Sequence, residues 1–367
     1  MCILCLFILP GIYSIAQMDL PPSGGNPRAS VTEEVGITSI TIKYSRPDVN
    51  KREGKIYGAG KLVPYGFMEQ NFVTGKNDAP WRAGANEATT ISFEHDVKVE
   101  GQDIKAGTYA LFMAMGAENV ILIFSNQNEA WGSFSYLEKD DVLRVNVKPV
   151  ALDKSVEWLK YEFIEHGEKH CVIAMQWEKI SVPFKITVDV DNIVVNKLRK
   201  EMTGNKSFTP ALELQAAQYL LNRNINLDEA LLWSKKAITG PGGQRTYITL
   251  RNLAVAYEKL NRIPEADSVM NEALQIATAN QYTAYGRQLI TQKRADKALE
   301  VFKANEKRYG NVFGVNNGLA YGYSAKADYK TAISYAEKAM TQAPNDAVKA
   351  TLNTNITKLK EGKDINQ

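Results

Sequence analysis

The sequence predicts two domains, β then α: an antiparallel β-sandwich followed by an α-solenoid of stacked helix pairs. Three observations carry this. A chain of 367 residues exceeds what one ordinary core organises. From Ser30 to Val190 the apolar residues alternate with period two between turn signals, as in half-buried strands. Beyond Asp191 the period becomes helical and small residues recur at intervals of 32 to 36 residues, which is the mark of a repeat.

The first sixteen residues stand apart. Met1–Ala16 carries no charge, Cys2–Ile8 is almost continuously apolar, and Ser14-Ile15-Ala16 ends the run in small residues. No positive n-region precedes it, but the pattern otherwise reads as a signal peptide cleaved after Ala16, with export to the periplasm, cell surface or medium. The apolar run is shorter than the roughly twenty residues a spanning helix needs, so no membrane span is expected after cleavage. Residues 17–29 read as an N-terminal extension. With 44% hydrophobic and 23% charged residues and a formal charge of +3, the chain has a globular composition without the basic surface a nucleic-acid partner requires.

Within residues 30–190 the strand candidates are Ile40–Tyr44, Ile91–Phe93, Val97–Gln102, Thr108–Met115, Val120–Phe124, Leu143–Val147, Glu157–Ile164, Cys171–Trp177 and Phe184–Val190. Gly116–Asn119 separates two of them as a hairpin turn. No long amphipathic helix lies between the strands, which disfavours a parallel sheet with its crossover helices. Cys171, the one thiol left after cleavage, sits in an apolar strand and reads as a small buried hydrophobe.

Five separated motifs add a family likeness. Tyr44–Pro47, Leu62–Gly66, Trp81–Thr89, Ala106–Phe112 and the pair Trp131-Gly132 with Asp141–Arg144 resemble domain-of-unknown-function family 2911 over about residues 25–190. The resemblance implies an exported bacterial protein, in some cases with helical repeats appended, and implies no activity. The chain departs from the family pattern at Ala83, where a hydroxyl residue is usual, and in the wider spacing of Met68–Pro80.

Trp81–Thr89 is the richest candidate site. Trp81, Arg82, Asn86 and Glu87 place an aromatic ring, a guanidinium, an amide and a carboxylate within seven residues. Such a surface suits a saccharide or a peptide end. Alternatively Trp81 plugs the core while Arg82 and Glu87 pair to pin the loop. A hydrolase-like site around Arg82, Asn86 and Glu87 is a further reading, and it requires Glu87 to be shielded and free of a neutralising guanidinium. Arg46 and Arg144 end strand-like runs and read either as buried ion-pair partners or as pocket cations. His166 and His170 flank Gly167–Lys169 in a turn, where solvated turn residues are expected in preference to a metal site. No nucleophile elbow or phosphate loop is present, no cofactor is expected, and a binding role is favoured over catalysis.

Residues 191–206 are expected to form a connecting helix capped by Asp191, and residues 207–361 the repeats, with 362–367 as a tail. Ala230, Ala266, Ala298 and Ala332 are each followed seven residues later by Ala237, Ala273, Asn305 and Ala339. Ala217, Leu253-Ala254, Tyr285-Gly286 and Leu319-Ala320 precede them. The pattern resembles tetratricopeptide repeats, in which small residues let paired helices approach; Asn305 departs from it. The resemblance implies a groove along the first helix of each pair, lined by Gln215, Tyr219, Asn222, Arg251, Glu258, Arg287, Asn317 and Tyr321. Arg251 and Arg287, one repeat apart, suit a peptide carboxylate. The overall expectation is an exported binding or scaffold protein that docks a protein partner through its repeats, with a structural role in envelope assembly as the remaining alternative.

Overall fold

The computed structural model describes residues 25–70, 77–204 and 209–367. The expected signal peptide, most of the N-terminal extension and the junction at 205–208 lie outside the described residues. The chain divides into two compact units between Lys197 and Leu198.

The first unit is built from twelve described strands: β1 (Arg28–Val35), β2 (Thr38–Ser45), β3 (Met68–Gln70), β4 (Asn77–Ala79), β5 (Thr90–Phe93), β6 (Val97–Val99), β7 (Gln102–Ile104), β8 (Gly107–Ala114), β9 (Val120–Ser125), β10 (Asp141–Val147), β11 (Val150–His166) and β12 (His170–Val188). Every pairing between these strands is antiparallel. One sheet runs β1-β2-β5-β8-β9-β10, a second β11-β12-β6-β7, and β3 pairs with β4 alone. The two larger sheets share one core. Ile40, Ile42, Ile91, Leu111, Leu122 and Phe124 from the first meet Leu159, Tyr161, Ile173, Met175, Phe184 and Ile186 from the second. These are the alternate residues of their strands, because successive side chains of a strand point to opposite faces.

Two expectations need correction. Cys171–Trp177 and Phe184–Val190 are not separate strands: the first and residues 184–188 of the second belong to β12, Val190 begins the following helix, and Glu157–Ile164 belongs to the long strand β11. Register shifts between Ala151, Val156, Lys160 and Glu165 let two such long strands follow the curvature of the sheet. The cap of the following helix, α1 (Val190–Thr203), is Asp189 and not Asp191: Asp189 Oδ1 accepts from the Asn192 amide at 3.3 Å, while Asp191 bonds Lys169 Nζ at 2.5 Å. Cys171 is fully buried, and burial pushes its thiol up to about 12.

The second unit is helical: α2 (Pro210–Arg223), α3 (Leu227–Thr239), α4 (Tyr247–Lys259), α5 (Ile263–Gln275), α6 (Ala279–Thr291), α7 (Ala295–Tyr309), α8 (Phe313–Ala325), α9 (Tyr329–Thr341) and α10 (Asp346–Lys360). They pack as tetratricopeptide-like pairs, α2 with α3, α4 with α5, α6 with α7 and α8 with α9, while α10 covers α9. Ala230, Ala266, Ala298 and Ala332 are all completely buried, as close helix approach requires.

The third pair shows how the Asn305 departure is absorbed. Asn305 is fully buried, and its Nδ2 donates to the Ala279 carbonyl at 3.0 Å and to Thr283 Oγ1 at 3.1 Å, tying α7 to the start of α6. Beside it Phe302 fills the space left by three glycines. A Cβ at Gly286, Gly318 or Gly322 would stand 2.4, 2.8 or 2.6 Å from its ring. The last residues also pack: Ile365 is buried, Asp364 accepts from Ser324 Oγ at 2.7 Å, and Asn366 Nδ2 donates to the Tyr321 carbonyl at 3.1 Å.

Candidate functional site

The Trp81–Thr89 loop is held by its backbone. Trp81 exchanges amide hydrogen bonds with Met113 at 3.0 and 2.8 Å, which docks it beside β8. Ala83 and Asn86 then adopt left-handed conformations, with φ of 51° and 59°; an amide side chain tolerates this region better than most. The Ala83 carbonyl accepts from Tyr161 Oη at 2.8 Å and from Thr89 Oγ1 at 3.1 Å. Gly84 lies so close to β2 that a Cβ would stand 3.1 Å from the Ser45 carbonyl.

This backbone path sends Arg82 and Glu87 into different clefts. Arg82, Asn86 and Trp81 line one of about 470 Å³, together with Asn26, Arg52, Leu62, Met68, Ser133 and Trp177. Glu87 lines another of about 540 Å³, with Arg28, Lys43, Tyr44, Ser45 and Asn128. The two do not pair. Glu87 Oε1 accepts from Arg28 Nη2, and Oε2 accepts from Ser45 Oγ at 3.2 Å. Register explains the convergence, since Arg28 and Ser45 face each other across β1 and β2. Burial alone would raise the Glu87 carboxyl; its hydrogen bonds and the Arg28 charge outweigh that and hold it below its ordinary value. The shielded, unneutralised carboxylate that a hydrolase reading needs is therefore not found at Glu87.

Among the described residues Arg82 has no such counter-charge. Its Nη1 donates to the Asn86 carbonyl at 2.7 Å, and its guanidinium carbon stands 4.8 Å from the Phe134 ring centroid. Gly132, at φ 68°, admits it: a Cβ there would lie 2.3 Å from the Arg82 Cζ. Burial lowers the pKa of Arg82, and among the described residues no carboxylate offsets that burial. Asn86 Oδ1 accepts from Asn26 Nδ2 at 3.3 Å, whereas Asn86 Nδ2 is buried without a partner. Trp81 is only 7% exposed and stacks on Trp177 at 5.9 Å, with Tyr57 edge-on to both. It forms cleft wall, so the open aromatic platform expected for a saccharide is absent.

The other two candidate arginines, Arg46 and Arg144, make contacts within the fold. Arg46 Nε donates to the Leu159 carbonyl at 2.9 Å, linking the two large sheets. Arg144 bonds Asp141 Oδ2 at 2.7 Å, Glu138 Oε1 at 3.0 Å and Tyr136 Oη at 2.7 Å, with Phe67 5.6 Å from its carbon. The turn histidines hold separate carboxylates, His166 on Glu33 at 2.8 Å and His170 on Glu165 at 3.0 Å. Among the described residues no cluster of three metal-ligating side chains occurs.

In the helical unit the candidate residues fall into two clefts. Asn222 and Arg251 line one of about 500 Å³, with Tyr247, Ile248 and Gln281. Arg287 and Tyr321 line another of about 730 Å³, which the packed residues Asp364–Gln367 also border. Arg251 Nη2 donates to Gln288 Oε1 at 3.1 Å, and Gln288 Nε2 donates to Glu258 Oε2 at 3.3 Å, joining α4 to α6. Arg287 lies over Tyr321, 4.4 Å from its centroid, and Asn355 Nδ2 bonds the Tyr321 hydroxyl at 3.3 Å. Gln215 is exposed on α2, and Asn317 is half-buried on α8. Tyr219 carries the Arg223 guanidinium at 5.6 Å. Gln215, Tyr219, Glu258 and Asn317 line neither cleft.

Sequence reasoning missed Asn26, Arg28, Ser45, Gly132, Ser133 and Trp177. Ser45 lies in the Tyr44–Pro47 motif and Gly132 in Trp131-Gly132, whereas Asn26, Arg28, Ser133 and Trp177 reach the two β clefts from segments distant in sequence.

A search of curated proteins finds no match. Among solved structures the chain is similar to the APC/C hetero-tetramer Cut9-Hcn1, at 18% identity and TM-score 0.32, over 46% of this chain and 33% of that one. It thus spans about a third of that relative. It is also similar to YrrB, a TPR protein with an unusual peptide-binding site (16%, TM-score 0.31, covering 44% and 83%). A third similarity is to MamA from Desulfovibrio magneticus RS-1 (19%, TM-score 0.29, covering 43% and 95%). Residues 26–186, the β unit with the two clefts, match the model of the family described as "Protein of unknown function (DUF2911)".

Proposed function

We propose that this chain is an exported scaffold protein whose helical repeats dock an acidic segment of a protein partner across Arg251 and Arg287. The observation that carries the reading is the state of these two cations. Most neighbouring arginines are neutralised: Arg245 by Glu272, Arg262 by Glu265 and Arg294 by Asp267. Arg251 and Arg287 are exposed, hold only an amide and a ring, and form no ion pair among the described residues. Each sits on the first helix of its pair and lines a cleft, of about 500 Å³ for Arg251 and about 730 Å³ for Arg287. Helical repeat stacks characteristically present that face to ligands. Export rests on the charge-free leader ending at Ala16 and belongs to the same proposal.

Selection of a displayed random-decapeptide library on the full chain tests the docking reading. Acidic sequences are expected to be enriched. The double substitution Arg251→Glu/Arg287→Glu should weaken the selected peptides roughly 100-fold, as loss of two charge-assisted pairs requires. Unchanged enrichment after charge reversal sinks the proposal.

A further inference from the structure

We infer that the cleft beneath the Trp81–Thr89 loop binds a small monocarboxylate with an apolar substituent, held by Arg82 and Asn86. Four features converge on that ligand. Arg82 is a partly buried cation with no carboxylate beside it among the described residues, its charge left open to the cleft. Burying an unbalanced charge is unfavourable, so a site that keeps one is arranged for an anion from outside. The guanidinium is also pre-positioned. Phe134 supports its flat face, the Gly132 backbone packs against it, and the Asn86 carbonyl fixes Nη1. A planar fork held in this way suits the two oxygens of a carboxylate.

The second donor is Asn86 Nδ2, buried and without a partner on the same cleft. Such an amide loses its water without gaining a hydrogen bond in the empty protein, and a carboxylate oxygen supplies the missing acceptor. Trp177, 1% exposed, lines the same cleft, and its Nε1 is buried without a partner. Pro47, Leu62, Val63, Met68 and Trp81 give the wall an apolar part beside the polar Asn26, Arg52 and Ser133, and that part favours an acid carrying hydrocarbon over inorganic phosphate. The remaining cation of the lining does not compete, because Arg52 is satisfied by Asp48 and by the Val49 carbonyl. A free organic acid and the C-terminal carboxylate of a peptide share this chemistry.

The test titrates the full chain, with indole nitrogens labelled, against four probes: phenylacetate, phenylacetamide, inorganic phosphate and N-acetyl-Ala-Ala-Phe as free acid or C-terminal amide. Phenylacetate should shift the Trp81 and Trp177 resonances and bind at least 10-fold more tightly than phenylacetamide or phosphate. A free-acid peptide that binds while its amide does not assigns the site to peptide ends. Binding of phenylacetate without the peptide assigns it to free acids. Two variants report on the cleft itself. Arg82→Gln should lower phenylacetate affinity at least 10-fold. Asn86→Asp, which supplies an internal carboxylate beside Arg82, should abolish binding while the chain stays folded. Absence of a phenylacetate shift, equal binding of acid and amide, or undiminished binding in Asn86→Asp overturns the inference.

Discussion

Arg144 and Arg82 lie in the same β unit, each partly buried and each against an aromatic ring, yet their surroundings are opposite. Arg144 stands among two carboxylates and a phenol. Arg82 stands against a carbonyl and a ring, with an unpartnered amide nearby. The first arrangement consumes the charge within the fold; the second leaves it available. Partial burial of an arginine therefore says little about its role until the carboxylates around it are located.

The largest expected effect breaks the satisfied arrangement. Asp141 Oδ2 accepts from both Tyr136 at 2.6 Å and Arg144, and its side chain is 7% exposed. Removing it in Asp141→Ala leaves a phenol and a guanidinium without their shared acceptor. The loss should be about 2–3 kcal/mol, below the range for a fully buried pair because Arg144 is a third exposed. Denaturant unfolding followed at the Trp81 and Trp177 resonances measures it, and a loss under about 1 kcal/mol would dissolve the contrast with Arg82.

Arg82→Met is the matched experiment and the next in size. The apolar stem keeps its packing while the unbalanced charge disappears. Stability should stay within about 1 kcal/mol of the native chain or rise, since replacing an uncompensated buried charge by hydrocarbon is neutral to favourable. A loss as large as that of Asp141→Ala would make Arg82 a pin of the loop.

Much of the architecture was legible in the sequence because it rests on periodicity. Alternation in Thr38–Ser45 and the recurrence of Ala230, Ala266, Ala298 and Ala332 follow from which side chains must be buried, and local pattern records that directly. The long strands β11 and β12 were read as fragments because Lys179-Ile180-Ser181 interrupts the pattern where the register shifts. The site was legible only in composition. Trp81–Thr89 announced its chemical groups, but two left-handed residues decide which way each faces, and Arg28, Ser45 and Trp177 arrive from strands far away in sequence. An Arg82–Glu87 pair looked natural at five residues' separation; the backbone path turned them into separate clefts.

The smallest effect concerns the pH dependence of Asp141 and Glu87, two of the carboxylates that answer arginines. Asp141 has its pKa raised: burial dominates, outweighing its bonds to Tyr136 and Arg144, and its Oδ1 is buried without a partner. Glu87 has its pKa lowered: burial would raise it, but its hydrogen bonds and the Arg28 charge outweigh that. The signs therefore oppose. A carboxyl lowered in the fold stabilises above its unfolded pKa, and that contribution fades as pH falls through the folded value. A carboxyl raised in the fold is less favourable once ionised, so acidification through its folded value adds stability. Glu87→Gln should cost at most about 1 kcal/mol at neutral pH, as an exposed pair with Arg28 warrants, and almost nothing below the lowered glutamate value. Carboxyl-carbon titrations should place Glu87 below and Asp141 above their ordinary values. Should both move downward, Asp141 is as well satisfied as Glu87, and the Arg144 cluster is a tighter lock than burial allows.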